Sequence, residues 1–413
     1  MRSVYLKGRR SQGEFHSVYK ELIKYPPEGY QFLVGKLGSS DQQRSDQRQS
    51  TSGSNKMQRL TYSFDENLQG FPIIRDVWYE AKTLSYICIK RAESSRALLE
   101  FGVDLVYSSQ QLLSAKLPWV VDFEYANALV DYGDIRLARR FVQNRLTSKY
   151  CKKILPWSDW AKRTLYHSLD CESFKEKIET VHFGMSPKDF VKKKENDKLR
   201  LLFVGSTNPF NFLNFEWKGG FEVVDAFLEL SKKYEGLELV VRSWVPSEIR
   251  EKCFHNPNIK MFYSPLSKDA LANLYVSSDI VLFPAHLNLG MAILEAMSYG
   301  LPVIARAVYD VPEAIKNMKT GILVSSPPEL ADYFSKVGEK RWRRKQNTLL
   351  GIRKCRPWLV KQIVEKASLL IEDTSLRRRI GQEARRLIEE GEFSIKNRNQ
   401  KLKRIFDEAI ENN

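Results

Sequence analysis

The sequence predicts an α/β protein of more than one domain, with parallel strands joined by helices. Its 413 residues are enough for two or three domains, each with its own core. The stretch Ile280–Ala305 reads as one βαβ unit. Ile280–Phe283 and Leu301–Ala305 are short apolar runs of the kind a parallel sheet buries on both faces. Between them, Ile293, Leu294 and Met297 share one side of a helix over Met291–Tyr299, and Gly300 is its stop. Further runs such as Arg200–Gly205 and Leu237–Val241 are followed by loops and helical patterns in the same order.

The turn His286–Gly290 precedes the helix of that unit. A helix N-terminus there offers backbone N–H groups and a positive dipole end to an anion, and a phosphate suits it. The same turn is also the ordinary joint of any βαβ unit.

Composition narrows the class. Hydrophobic residues make up 43% and aromatic residues 12%, as in a globular chain. No apolar run approaches the roughly 18–20 residues that span a bilayer, and no apolar leader follows Met1-Arg2-Ser3, so a cytoplasmic protein is expected. The five cysteines, Cys88, Cys151, Cys171, Cys253 and Cys355, show no CxxC spacing, which argues for reduced thiols over a zinc site. The net charge of +16 asks for anionic partners: nucleic acid, anionic lipid or anionic substrates. No zinc-finger, RRM or KH pattern is present, so nucleic acid is not expected as a partner.

Gly290, Leu294-Glu295-Ala296-Met297, Gly300 and Pro302-Val303-Ile304-Ala305 together resemble the signature segment of family 4 glycosyltransferases. The resemblance implies the GT-B fold, with two Rossmann-like domains facing a central cleft and a C-terminal helix that crosses back to the first domain. It implies a retaining enzyme that uses a nucleotide-diphosphate sugar. Glu295 would accept hydrogen bonds from the donor ribose, and Asn288, Leu289, Gly290, Met291 and Ala292 would line the diphosphate. One departure bears on sugar identity: the family's Glu eight residues before Glu295 is Leu287 here.

In chain order, Ser3–Lys7 reads as a first strand and Phe15–Tyr25 as a helix packing through Val18, Leu22 and Ile23. Gly13 in the loop between them is the best match to the family's donor-phosphate glycines, although their pairing is missing. Gln31–Val34 is a second strand. Leu37–Gln58 is polar and too poor in apolar residues to build a core, so it reads as a surface loop. Val103–Tyr107 and Trp119–Tyr125 are further strands. Glu124 stands where the family often has a His that contacts the transferring sugar; it reads equally as a surface Glu. Lys153–Ala161 fits a strand and a helix capped by Ser158, and Thr180–Gly184 a last strand. The lysine-rich Val191–Lys198 has linker character and sets the expected boundary between domains 1–197 and 198–390, with 391–413 as the returning helix.

In the second domain, Gly205 and Ser206 follow the first strand, and Ser206 replaces the family's Arg. Lys218 and Gly219 open the next helix. In the family that Lys neutralises the donor's β-phosphate. A bare cation at a helix start opposes the dipole, so an anion is expected beside it. Arg242, after the strand Leu237–Val241, stands in for the missing Arg. Asn258–Pro265 matches the strand and turn that meet the nucleotide base, ending at Pro265. Val311-Pro312-Glu313 follows Tyr309-Asp310, where the family has Gly-Gly. Glu339–Lys345 gathers five cations around Trp342; it suits an anionic membrane surface and equally a solvated basic loop. Pro357–Glu372, Ser375–Glu390 and a last helix through Ile410 complete the chain.

The expectation is a hexosyltransferase-type transferase acting on a glycan or lipid-linked hydroxyl in glycan, glycolipid or cell-surface polysaccharide synthesis. Lys218 and Glu124 are its candidate catalytic residues. No Asp-x-Asp motif is present, so neither metal nor cofactor is expected beyond the donor. The alternatives are a nucleotide-sugar epimerase or sugar phosphorylase of the same fold, and a non-catalytic member that binds nucleotide sugar or glycan.

Overall fold

The structure, a computed structural model, describes residues 1–7, 10–11, 14–15, 17–34, 81, 83–88, 102–188, 198–207, 214–286, 289–325 and 356–411. Gly13, Leu287, Asn288, the polar stretch 37–58, the linker 191–197 and the basic cluster 339–345 lie outside them. The chain divides into two compact α/β units. One lies within Met1–Phe183 and Lys396–Asn413, the other within Gly184–Lys336 and Thr348–Ile395. The division therefore falls ahead of the expected residue 197.

The first unit is built on strands β1 (Arg2–Lys7), β4 (Tyr30–Leu33), β5 (Leu105–Ser109), β6 (Trp119–Phe123) and β7 (Cys151–Pro156). They form a parallel sheet in the order β4-β1-β5-β6-β7, beside a two-residue hairpin of β2 (Arg10–Ser11) and β3 (Glu14–Phe15). Its helices are α1 (Ser17–Lys24), α2 (Arg139–Leu146) and α3 (Asp159–Ser168). Ser158 caps α3 as expected, its Oγ accepting from Ala161 N–H at 3.0 Å. β5 and β6 are buried along their whole length, which is why they read as continuous apolar runs.

The expected strand over Thr180–Gly184 does not form. Glu179 and Val181 donate backbone N–H groups to the carbonyls of Ile154 and Pro156, both at 3.0 Å, and the chain then leaves β7. Pro156 has no N–H to give back, so the ladder cannot continue.

The second unit carries β8 (Leu199–Val204), β9 (Leu237–Arg242), β10 (Ile259–Phe262), β11 (Ile280–Phe283), β12 (Val303–Arg306) and β13 (Ile322–Val324). All pair in parallel, in the order β10-β9-β8-β11-β12-β13. Its helices are α4 (Asn214–Trp217), α5 (Gly220–Lys233), α6 (Ser247–Cys253), α7 (Lys268–Val276), α8 (Met291–Ser298), α9 (Val311–Ala314), α10 (Pro357–Glu372) and α11 (Thr374–Glu389). Leu201, Phe203, Leu239 and Val241 share one core with Phe227 of α5 and Ile363 and Ala367 of α10. Burying each large side chain contributes about 1.5–3 kcal/mol. Gly300 ends α8 with φ 70°, a conformation that costs other residues a Cβ clash.

The last helix, α12 (Ile395–Glu411), belongs to the first unit. Phe406 packs edge-on against Tyr30, Phe32 and Tyr107, with centroids 5.2, 6.2 and 6.1 Å away. Asp407 accepts from Tyr30 Oη at 2.6 Å and pairs with Arg2 at 3.1 Å. The chain thus returns to its first sheet at its C-terminal end.

Candidate functional site

In the second sheet the strand order reverses between β8 and β11. Connections leave those two strands toward opposite sides, so a crevice opens at their carboxyl ends. Four short segments border it: the loops after β8, β9 and β11, and the turn that starts α5.

The turn holds Lys218. Gly219 there has φ 79°, and a Cβ on it would lie 2.7 Å from the Pro284 carbonyl oxygen. The His286 N–H donates to the Trp217 carbonyl at 2.7 Å, which fastens the turn to the β11 loop. Lys218 Nζ consequently stands 5.8 Å from the Phe283 ring centroid. The same ring is reached by Gly290, whose added Cβ would meet Phe283 Cζ at 3.4 Å. Gly290 begins α8, and no side chain caps that helix.

Arg242, at the end of β9, comes into electrostatic reach of Lys218 and Glu295. Burial, with Arg242 adding to it, pushes the Lys218 ammonium down to about 8, while Glu295 acts in the opposite direction. Burial likewise lowers Arg242. Arg242 Nη1 donates to the Gly205 carbonyl at 2.9 Å, but its buried Nε has no hydrogen-bond partner among the described residues. Neither cation forms an ion pair among the described residues. Glu295 of α8 is half-buried, and its Oε2 accepts from Tyr275 Oη at 3.1 Å. Two cations therefore face one carboxylate that a phenol already holds. Such a set accommodates an anion that also carries hydroxyl groups.

The other expected residues are placed as follows. Gly205 is buried with its N–H and C=O both engaged by Arg242, so its contribution is close packing and not a free donor. The Ser206 carbonyl accepts from Trp244 N–H at 2.7 Å. Leu289 N–H donates to Asp310 Oδ1 at 2.6 Å and is likewise engaged. Met291 and Ala292 form the half-buried first turn of α8. Pro265 is exposed beyond β10. Glu124 is half-buried directly after β6 in the first unit. Tyr309, where the family has Gly, takes φ 54°, a conformation more often left to Gly or Asn.

Sequence reasoning missed a buried network behind the crevice. His286 touches Arg306 through Nδ1, and its Nε2 lies 3.5 Å from Glu222 Oε1 and 3.1 Å from Arg356 Nη1. Arg356 Nη1 is 3.2 Å from Glu222 Oε1. Burial, reinforced by the two arginines, pushes His286 down to about 4, so it is neutral at pH 7. With Nδ1 accepting from Arg306, Nε2–H is left to donate toward Glu222. The residues come from α5, the β11 loop, β12 and the start of α10, so no local motif announces them.

Comparison with known proteins supplies the deciding observation: a family model described as glycosyl transferases group 1 covers residues 198–339. This stretch is similar to that family, and the match spans less than half of the chain. A D-inositol 3-phosphate glycosyltransferase of Mycobacteroides abscessus is 34% identical over 79 residues, 19% of this chain and only 18% of that protein's length. A glycosyltransferase structure from Rickettsia africae superposes with TM-score 0.60 at 15% identity, covering 100% of this chain and 99% of the other. The Anabaena protein Alr3699/HepE, solved with UDP and glucose, gives TM-score 0.56 at 12% identity, covering 98% of each chain. At those identities the likeness shows the fold, which is the expected GT-B. The matched segment includes Lys218, Arg242 and Glu295.

Proposed function

We propose that this chain is a glycosyltransferase that moves a sugar from a nucleotide-diphosphate sugar to an acceptor hydroxyl, with retention at the anomeric carbon. The observation that carries the reading is the pair Lys218 and Arg242, two cations that form no ion pair among the described residues, at the strand-order reversal beside Glu295. A diphosphate there neutralises both cations and is further met by the N-terminus of α8. Glu295 accepts from the ribose hydroxyls. The group 1 match and a fold neighbour that holds UDP point the same way.

In the reaction, the anomeric C–O bond to the β-phosphate breaks and its electron pair goes to the diphosphate. The acceptor oxygen bonds the anomeric carbon as its proton passes to the departing phosphate oxygen. Lys218 and Arg242 stabilise the charge that develops on the leaving group. The reading includes no metal or cofactor, because these side chains supply the positive charge. Glu124 is proposed as the carboxylate for the sugar, and a glycan or lipid-linked hydroxyl as the acceptor. A cytoplasmic site of action, with peripheral contact to an anionic membrane surface, completes the proposal.

The test is a thermal-shift screen against UDP, GDP, ADP and their common sugar conjugates, with Lys218→Ala as the control. Ligand at 100 times its dissociation constant adds about 2.7 kcal/mol, a shift such a screen resolves. Stabilisation by one nucleotide family that vanishes in the variant supports the reading. No shift with any nucleotide defeats it in favour of a purely structural glycine turn.

A further inference from the structure

Glu295 is a flexible side chain in the field of two cations, yet its Oε2 is held by a third residue, the Tyr275 hydroxyl, at 3.1 Å. Tyr275 is fixed more firmly than a hydrogen bond alone requires. It lies in the last turn of the helix that Ser267 caps, is 1% exposed, and stacks on Tyr299 with centroids 5.1 Å apart and planes at 9°. Tyr299 follows Glu295 by one turn on the same α8 segment, and its N–H donates to the Glu295 carbonyl at 3.3 Å. The ring stack and the hydroxyl therefore grip α8 at both its backbone and its carboxylate. Burial keeps the phenol protonated, so it donates and the carboxylate accepts.

We infer that Tyr275 is a positioning residue: its hydroxyl aims the Glu295 carboxylate at the vicinal hydroxyls of the ligand's ribose. Without that bond the pull of Lys218 and Arg242 on the carboxylate is opposed by one hydrogen bond fewer, and Coulomb attraction in a partly buried crevice is strong. The hydroxyl bond opposes that pull and leaves the carboxylate to select ligands that carry hydroxyl donors. The inference rests on the nucleotide reading of the crevice.

The experiment measures dissociation constants by isothermal titration for UDP, GDP and ADP, each beside its 2′,3′-dideoxy counterpart. Wild type, Tyr275→Phe and Glu295→Gln are compared. Tyr275→Phe keeps the ring stack and removes only the hydroxyl. Wild type should prefer the ribonucleotide about tenfold, the scale of one charge-assisted hydrogen bond. In both variants that preference should collapse toward one. An unchanged preference in Tyr275→Phe, or equal weakening toward both ligands, overturns the inference and leaves the nucleotide site standing. If wild type binds none of the three diphosphates, the proposed function itself falls and this inference with it.

Discussion

Arg242 and Gly205 are joined by two hydrogen bonds: Gly205 N–H donates to the Arg242 carbonyl at 2.7 Å, and Arg242 Nη1 donates to the Gly205 carbonyl at 2.9 Å. The loop after β8 is thereby locked to the end of β9, and the guanidinium is oriented along the crevice. The lock needs a glycine, since a Cβ on residue 205 would lie 2.1 Å from Ser243 Oγ and 2.6 Å from Ser243 Cβ. Gly205→Ala should lower stability by about 1–3 kcal/mol, the range for overpacking, and weaken nucleotide binding with it. Urea unfolding and titration with the nucleotide that wild type binds check the two effects together.

Lys218 gives binding a defined pH dependence. Its free-state pKa is pushed down to about 8, and a bound diphosphate favours the charged form, raising it again. Affinity should be full below pH 8 and fall by up to tenfold per pH unit above it, until the pKa of the complex is reached. Dissociation constants measured from pH 6.5 to 9.5 read this directly. Lys218→Arg should bind without the decline, because a guanidinium stays charged throughout.

The same depressed pKa is a stability cost. A lysine whose folded pKa lies below its unfolded value carries its full stability cost below about pH 8, where both states are protonated, and that includes pH 7; the cost is relieved as pH rises from about 8 toward the unfolded value. Lys218→Met should therefore stabilise the second unit by about 1–2 kcal/mol while abolishing nucleotide binding. A raised Tm with lost ligand response is the expected pair of results.

Asp122 makes the first unit sensitive in the other direction. Burial pushes this carboxyl up to about 6, against hydrogen bonds from Tyr19, Tyr107 and the Gln110 N–H at 2.9, 3.0 and 3.1 Å. The folded state then holds the proton more tightly than the unfolded chain. Stability is greatest below the unfolded pKa and declines as pH rises toward 6. Asp122→Asn removes that decline, so its stability relative to wild type should rise by about 1 kcal/mol between pH 5 and pH 7. Denaturant melts at the two pH values measure it.

Glu222 is the carboxylate that faces Arg306, Arg356 and His286 among the described residues of the buried network. Glu222→Gln removes the carboxylate that pairs with the half-buried Arg356 and offsets the field on buried Arg306. Breaking a buried pair by removing one partner costs about 3–5 kcal/mol, so the second unit should lose much of its stability. The Lys218 turn, tied to His286 through Trp217, should lose nucleotide binding in parallel. Circular-dichroism melts and titration together test this.

Much of this architecture was written in local sequence. The strands were readable because a parallel sheet buries both faces, and Val, Ile and Leu then run on without a polar break, as in Leu201–Val204 and Ile280–Phe283. Ser158 was legible as a cap because a hydroxyl bonds a backbone N–H three residues on. Thr180–Gly184 misled because its pattern is that of a strand, while the neighbour it would pair with presents Pro156.

What the sequence by itself determined is most of the elements, their order, and local signals such as the Ser158 cap and the Gly300 helix stop. Each follows from interactions within a few residues of chain, where sterics and hydrogen-bond geometry act at short range. The tertiary structure alone decided that Arg242 stands by Lys218, that Tyr275 holds Glu295, and that His286 gathers Glu222, Arg306 and Arg356. These meetings join distant segments, and their strength depends on burial, which lowers the local dielectric and exists only once both faces of the sheet are covered.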